Sequence, residues 1–482
     1  MLFSSKVFVL FLAVVLALYY GLSDRGKLWL LLVASYVFYG FWDPELCTLI
    51  FLSTAVDFVC GARIAATEDP RRRKAWLGLS LGVNLGALGF FKYYDFFVYE
   101  FAMAAQAVGF AVSPDDWMLK LVLPVGISFY TFQTMSYTID IYRRQFTPEP
   151  SFLRFAIYVA FFPQLVAGPV ERAQHLLPQF SRPFRLSRAM VFEGVFLILL
   201  GFVKKTVIAD RIARDIAPFY EQLAESGPEA AMSMLAFTTQ IYVDFSSYSD
   251  IAIGLGLLLG YSIRENFDLP FVVPSIPERW RRWHISMSHW FRDYIFIPLG
   301  GSRKGEARTN LNILIVMFLS GLWHGASNNF VVWGLGNGAT MVGHRLLKPY
   351  LRLISEPLSR HPVTRIGYFY LCCLVTYGMI STINIFFRCP DWPTALSFVD
   401  AIFLSGVKPY VAYAEAWYMP QGLWRSMWLT LAVFVGHEAQ RYLDVKRLIL
   451  EHRGLWVVTC GVAFWVVVTF GIAGPEFIYF QF

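Results

Sequence analysis

Two apolar runs meet at a single histidine in L-N-I-L-I-V-M-F-L-S-G-L-W-H-G-A-S-N-N-F-V-V-W-G-L, Leu311 to Leu335. Neither run alternates apolar with polar residues, so neither reads as a strand of a membrane barrel. A helix needs about 20 mostly apolar residues to cross the hydrocarbon core. On that measure 311–325 and 329–347 are candidate crossings with a short polar break between them. The pattern repeats outward in both directions, at 7–22, 28–42, 46–66, 75–92, 119–140, 190–209, 231–260, 366–387, 426–443 and 455–473. Segment 152–170 is apolar too, but Pro163, Gly168 and Pro169 interrupt it. Irregular backbone at membrane depth is tolerated only inside protein or beside a water-filled cavity. Segment 152–170 therefore reads as re-entrant or broken, and the short spans near 320 read as irregular.

The whole chain agrees with this stretch. Of its 482 residues 56% are hydrophobic and only 16% are charged, against about a quarter charged in a soluble domain. Mean hydropathy is +0.49. That balance excludes a soluble enzyme, a disordered chain and a disulfide-stapled secreted module. The expectation is an all-α polytopic membrane protein of about 11–12 transmembrane helices with re-entrant and interfacial segments. No internal repeat or low-complexity linker divides it, so 1–482 is treated as one domain. Its core motifs lie at about 120–350, and a C-terminal helix and tail at 455–482. Residues 7–22 are not followed by a small-residue cleavage site, so they read as a crossing and not as a signal peptide. The six cysteines form no C-x-x-C pair and sit mostly in apolar runs, where they read as packing.

The net charge of +7 is concentrated in loops, which points to cytoplasmic segments and not to nucleic acid. Basic stretches occur at Arg71–Lys74, Arg143–Arg144, Arg182–Arg188, Arg264–Arg308, Lys348–Arg365 and Lys446–Arg453. The loops at Asp43–Glu45, Ser113–Asp116 and Glu221–Glu229 are neutral or acidic. By the positive-inside rule the first set faces the cytoplasm and the second set faces outward. Both termini then lie outside, and the number of crossings is even.

Three polar segments interrupt the apolar chain. The first, Glu278 to Gly301, interleaves Arg279, Arg281, Arg282 and Arg292 with Trp280, Trp283 and Trp290. It reads either as an interfacial helix anchored at headgroup level or as a cationic surface receiving an anionic donor. The second is S-G-L-W-H-G-A-S-N-N, Ser320 to Asn329. An ionisable side chain at membrane depth is costly and usually lines a pathway or a site. Gly321 and Gly325 bracket His324, leaving little side-chain bulk around it. A neutral buried imidazole suits either a helix–helix contact or a general base for a hydroxyl. Trp323 and Asn328 flank it as candidate tunnel-lining residues. The third, Ile241 to Gly256, holds Asp244, Ser247, Tyr248 and Asp250 inside an apolar span, as a structural network or as tunnel lining. No H-x-x-x-H pair is present, so no catalytic metal is expected. The glycines of 254–260 sit inside a span and read as close helix packing, not as a phosphate loop.

Read together, Y-V-D-F-S-S-Y-S-D-I-A-I-G, R-R-W-H-I-S-M-S-H-W-F-R-D-Y-I-F-I-P-L-G-G and S-G-L-W-H-G-A-S resemble the membrane-bound O-acyltransferase family. They look most like its bacterial branch that serves alginate O-acetylation. S-Y-V-F-Y-G-F-W at 35–42, L-P-V-G-I-S-F-Y-T-F-Q at 123–133 and F-F-P-Q-L-V-A-G-P-V at 161–170 look like that branch as well. The resemblance runs in order along nearly the whole chain. It implies a ring of helices around a central tunnel entered by funnels from both faces. It implies that His324 is the catalytic histidine of W-H-G and that His284 is a second family histidine on the donor side. The branch commonly has a Ser-Thr pair or similar after W-H-I-S-x-S, where this chain has His289. A short C-terminal aromatic motif with a central tyrosine occurs in related envelope acylation systems, and P-E-F-I-Y-F-Q-F places Tyr479 there as an acyl relay. The plainer reading of that tail is an aromatic belt closing the last span.

The function expected on this reading is transfer of an acetyl group from cytoplasmic acetyl-CoA, a substrate and not a resident cofactor, through the bacterial inner membrane. The acceptor would be an extracytoplasmic polysaccharide such as alginate. Completion by a periplasmic partner resembling an SGNH hydrolase is implied by the family alone. Two other classes stay open at this level: a secondary transporter or flippase, and a non-enzymatic scaffold of an envelope complex.

Overall fold

The computed structural model describes residues 1–121, 123–166, 168–404, 420–474 and 477. Among them the regular structure is helical, with no strand. The chain divides into two compact units, residues 1–195 with 251–264 and residues 196–250 with 265–482.

The first unit opens with α1 (Lys6–Gly21), α2 (Asp24–Gly40), α3 (Leu46–Ala66) and α4 (Pro70–Leu88). Their starts are set by side-chain caps. Ser5 accepts from the Phe8 N–H, Ser23 from the Gly26 N–H, and Asp69 from the Arg71 N–H with Pro70 following. Such caps satisfy amide groups that a helix start leaves bare. A π-turn at Gly89–Tyr93 joins α4 to α5 (Tyr94–Ala107). The expected crossing at 75–92 is thus the middle of a continuous helical run, Pro70–Ala107. In the expected span 119–140 the helix, α6 (Ile127–Tyr142), begins only after Pro124 and left-handed Gly126. Segment 152–170 is broken: α7 (Phe152–Ala160) ends at Phe161, and the non-helical residues described up to Arg172 are buried. Helix α8 (Ala173–Phe180) follows, and α9 (Arg188–Phe202) begins in this unit.

A cluster of polar groups around Asp57 inside this unit is satisfied internally, as apolar surroundings demand. Asp57 on α3 accepts from Ser80 Oγ at 2.6 Å and from Asn84 Nδ2 at 2.8 Å, both on α4. Asn84 Oδ1 in turn accepts from Ser53 at 3.0 Å and from Thr134 of α6 at 3.1 Å. In the loop after α3, Glu68 pairs with Arg144, which holds its carboxyl below the ordinary carboxylate range.

The second unit takes up α9 where it passes through a π-turn, Val203–Ala209, into α10 (Asp210–Tyr220). Helix α11 (Gly227–Leu258) has most of its length here and its last turns in the first unit. Then come α12 (Ile276–Arg282), α13 (Ile285–Phe291), α14 (Glu306–His324), α15 (Asn328–Ser359) and α16 (Pro362–Arg388). The remainder is α17 (Trp392–Val399), α18 (Gln421–Tyr442), α19 (Val445–Glu451) and α20 (Arg453–Phe470). Among the described residues, Leu46–Ala66, Pro70–Ala107, Pro362–Arg388 and Arg453–Phe470 are long and apolar enough to cross a membrane. The chain is an all-α membrane protein.

Candidate active site

The site is built where α12, α13, α14 and α15 meet within the second unit. Ser275 caps α12 by accepting from the Glu278 N–H. The helix ends after two turns where Trp283 becomes extended, and His284 then turns left-handed, at φ 43° and ψ 53°, to start α13. A residue other than glycine rarely adopts that backbone, and it costs about 1–3 kcal/mol where it persists. Asn266 holds it. Its carbonyl oxygen Oδ1 accepts from Ser286 Oγ at 2.9 Å and from the Ser286 N–H at 3.3 Å. The backbone carbonyl of Asn266 accepts from the Ile285 N–H at 2.9 Å. His284 Nδ1 lies 3.1 Å from Asn266 Oδ1. An amide oxygen only accepts, so Nδ1 carries the proton and Nε2 is the basic nitrogen. The ring is fully buried, edge-on to Phe245 at 4.7 Å and 5.8 Å from Trp323.

His324 is the last residue of α14 and is 4% exposed. Its ring sits in an aromatic wall, 4.8 Å from Trp323, 4.8 Å from Trp333 and 5.1 Å from Phe387. Trp333 is fixed by its Nε1–H donating to Asn384 at 3.0 Å, and Asn384 donates to Thr238 of α11 at 3.1 Å. Both histidines thus lie in one buried layer with Trp323 between them. Residues 40 positions apart in sequence are brought within one indole of each other.

The bracketing glycines have another reason than open space around the imidazole. A Cβ on Gly325 would stand 2.1 Å from the Phe330 ring, and one on Gly321 would stand 2.3 Å from the Phe330 carbonyl. A Cβ on Gly334 would come within 2.4 Å of the Met317 carbonyl. These glycines let the backbones of α14 and α15 touch, the small-residue contact familiar between membrane helices.

The four arginines part company. Arg281 and Arg292 are exposed and Arg282 is half-buried; they pair with Glu278, Asp293 and Glu278 respectively. Arg279 is buried at 5% exposure, its guanidinium 4.2 Å from the Trp283 ring. Beside α12, α13 and α14 lies an apolar cavity of about 250 Å³, lined by Trp280, Met287, Phe291, Met317 and Met341.

The third polar segment is resolved into pairs. Asp250 accepts from Lys204 at 2.6 Å. Asp244 and Asp210 share Lys205, each at 2.8 Å. Ser247 is buried, and Tyr248 is buried against Phe477 with ring centroids 4.0 Å apart. Phe477 also contacts Phe245, the residue against His284. Asn328 is exposed at the first turn of α15, whereas its neighbour Asn329 is buried and donates to the Cys389 carbonyl at 3.1 Å. Tyr479 lies outside the described residues. Sequence reading passed over Asn266, Trp333 and Phe387, which carry no motif signal. It also passed over Lys204 and Lys205, although adjacent lysines inside the apolar run 190–209 were a signal in themselves. Among the described residues no cluster of His, Cys, Asp and Glu has the arrangement of a metal site.

Comparison with known proteins bears on the family. The sequence profile of the membrane-bound O-acyltransferase family matches residues 83–387, which include both histidines. "Probable alginate O-acetylase AlgI" of Pseudomonas putida is 41% identical over 366 residues, 75% of this chain and 74% of its own. The protein of the same name in Pseudomonas aeruginosa is 42% identical over 349 residues, covering 72% and 66%. "Peptidoglycan O-acetyltransferase" of Helicobacter pylori is 32% identical over 411 residues, covering 79% and 75%. With a matching profile over most of its length and relatives aligned across three quarters of it, this chain belongs to the membrane-bound O-acyltransferase family.

Proposed function

We propose that this acyltransferase moves an acetyl group from cytoplasmic acetyl-CoA across the bacterial inner membrane for O-acetylation of an extracytoplasmic polysaccharide, alginate first among the acceptors. The observation that carries the reading is His324, a buried imidazole in an aromatic pocket at the end of α14. The names of the relatives support acetyl transfer to a polysaccharide. The physical problem is that the activated thioester lies on one side of the membrane and the hydroxyls lie on the other. Passing only the acyl group avoids moving either large partner.

In this reading His324 takes the proton of the attacking hydroxyl, and His284, with its tautomer set by Asn266, serves on the donor side. The exposed guanidinium groups of Arg281 and Arg292, with half-buried Arg282, orient the charged donor through charge-assisted hydrogen bonds. Tyr479 takes the acyl group as an aryl ester and passes it outward. Phe477, two residues earlier and packed between Phe245 and Tyr248, supports a tail that enters this layer. A periplasmic hydrolase-like acetyltransferase completes transfer to the polymer. The test is His324→Ala in cells. Losing a general base costs about 10²–10⁴-fold in rate, so polymer acetylation should disappear while protein level holds. Near-normal acetylation by an abundant variant would overturn the catalytic role. Tyr479→Phe keeps the ring and removes the hydroxyl, and it should stop acetylation equally. Normal acetylation by the Phe variant, with loss on deleting 475–482, would make the tail an anchor instead.

A further inference from the structure

Arg279 stands apart from its neighbours in the arginine-rich segment. It is 5% exposed, and no carboxylate pairs with it among the described residues. The face of its guanidinium is covered by Trp283 at 4.2 Å and Phe271 at 5.6 Å. Among the described residues its one hydrogen bond runs from Nη1 to the Pro270 carbonyl, at 3.4 Å. A guanidinium carries five N–H donors and does not lose its charge in proteins. Buried charges are ordinarily paired or hydrogen-bonded because desolvation is costly. Stacking on rings offsets part of that cost, but it leaves the donor edge of the group to be accounted for.

Arg279 lines a small, mainly apolar cavity of about 10 Å³, into which Asn337 and Asn384 bring the other polar groups, among the rings of Trp280, Trp283, Trp333 and Phe387. Trp280 lines both this cavity and the larger apolar one, and its buried indole N–H has no acceptor among the described residues. Trp333 and Phe387 are the rings packed on His324. The cavity and the His324 imidazole therefore share two aromatic walls. Its size admits about one water-sized atom. A phosphate group, with four oxygens, does not fit.

We infer that Arg279, with the Trp280 indole N–H, forms the pocket that holds the acyl oxygen when it becomes an oxyanion. The inference rests on the acyl-transfer function proposed above and adds the residue that stabilises the negative charge. The attacking hydroxyl, that of Tyr479 in the relay proposed above, adds through its oxygen to the thioester carbonyl carbon, and its proton goes to the His324 imidazole. The carbonyl π pair moves onto oxygen, giving the oxyanion that faces the guanidinium. When that pair re-forms the carbonyl, the carbon–sulfur bond breaks and the thiolate leaves with the proton from His324. Donors placed where charge develops, in a dry pocket, stabilise the transition state more than the ground state.

The experiment is steady-state kinetics of thiol release from acetyl-CoA by purified full-length protein in lipid vesicles with a soluble hydroxyl acceptor. Arg279→Met, close in volume and apolar, should lose about 10²–10³-fold in kcat, as removal of an oxyanion donor does, with KM for the donor within about twofold. Arg281→Met should behave differently, raising KM with little change in kcat. A raised KM at unchanged kcat in Arg279→Met would make Arg279 a donor-binding group and overturn the assignment, as would unchanged kinetics. Should the Met variant not accumulate, Arg279→Lys carries the same division: a lowered kcat at constant KM supports the assignment, and any other pattern overturns it. Absence of thiol release by the wild-type protein would instead overturn the acyl-transfer reading, and the oxyanion pocket with it.

Discussion

His284 and Lys205 show how single residues carry cost and role together. His284 occupies the left-handed region, and Asn266 compensates by holding both sides of the turn. Asn266→Ala removes the acceptor shared by His284 and Ser286. Leaving buried donors without it costs about 1–3 kcal/mol, and the ring loses the contact that sets its tautomer. The expected outcome is a lowered melting temperature in detergent and a larger loss of acyl transfer than the stability loss alone explains. Asn266→Asp keeps an acceptor and should retain more of both. Lys205 lies between Asp210 and Asp244, with all three side chains nearly inaccessible. Lys205→Met removes the cation that two buried carboxylates share. Breaking a buried ion pair on one side costs about 3–5 kcal/mol, so this variant should accumulate poorly. Asp210→Asn combined with Lys205→Met should recover part of the loss. The aspartates of this cluster were legible as a polar island in an apolar helix, but their partners were not. Lys205 lies 39 positions before Asp244 in sequence, and only the packing of α11 on the π-turn brings them together.

At the scale of elements, α14 and α15 are placed by the absence of side chains. Gly321 and Gly334 face each other at backbone distance, with their Cα atoms close enough that either Cβ would collide. Gly334→Ala should push the helices apart and displace His324 at the end of α14. Overpacking of this kind costs about 1–3 kcal/mol. Gly343→Ala serves as the contrast. It lies on the same helix with nothing within 4 Å of the added Cβ, and it should change neither stability nor acyl transfer. Heating in detergent followed by size-exclusion chromatography measures the first, and acetyl release measures the second. Equal behaviour of the two variants would show that the contact is not what positions α14. Helix existence was readable from apolar runs, and most expected spans have their helix. Helix ends were less so. Ser327 caps α15 locally, yet α15 runs on to Ser359, well past the apolar stretch and through Pro349 and Pro357, so its C-terminal end was not legible from the apolar run.

At the scale of the whole molecule, the distribution of basic loops predicts an orientation. The stretch Arg71–Lys74 begins α4, and Glu225 lies in the exposed acidic turn between α10 and α11. In a variant whose native cysteines are replaced, Arg72→Cys should be shielded from an impermeant thiol reagent in intact cells. Glu225→Cys should react. The reverse pattern would invert the topology and put the C-terminal tail on the wrong side for an outward relay.

The sequence by itself determined that this is an all-α membrane protein and that a histidine sits deep in it. Long apolar runs and buried ionisable residues are local properties, set by the cost of exposing polar groups to hydrocarbon. The order of motifs, too, was enough to name the family before any contact was known. The tertiary structure alone decided which arginine turns inward, which carboxylates are neutralised and what surrounds His324. Four arginines within fourteen residues look equivalent as letters, and only the packing of α12 on α15 and the rings of Phe271 and Trp283 over its guanidinium send Arg279 away from water. Trp333 and Phe387 carry no signal because their role is contact with a residue on another helix. Such contact depends on where helices cross, and crossing is decided by how close their backbones are allowed to come.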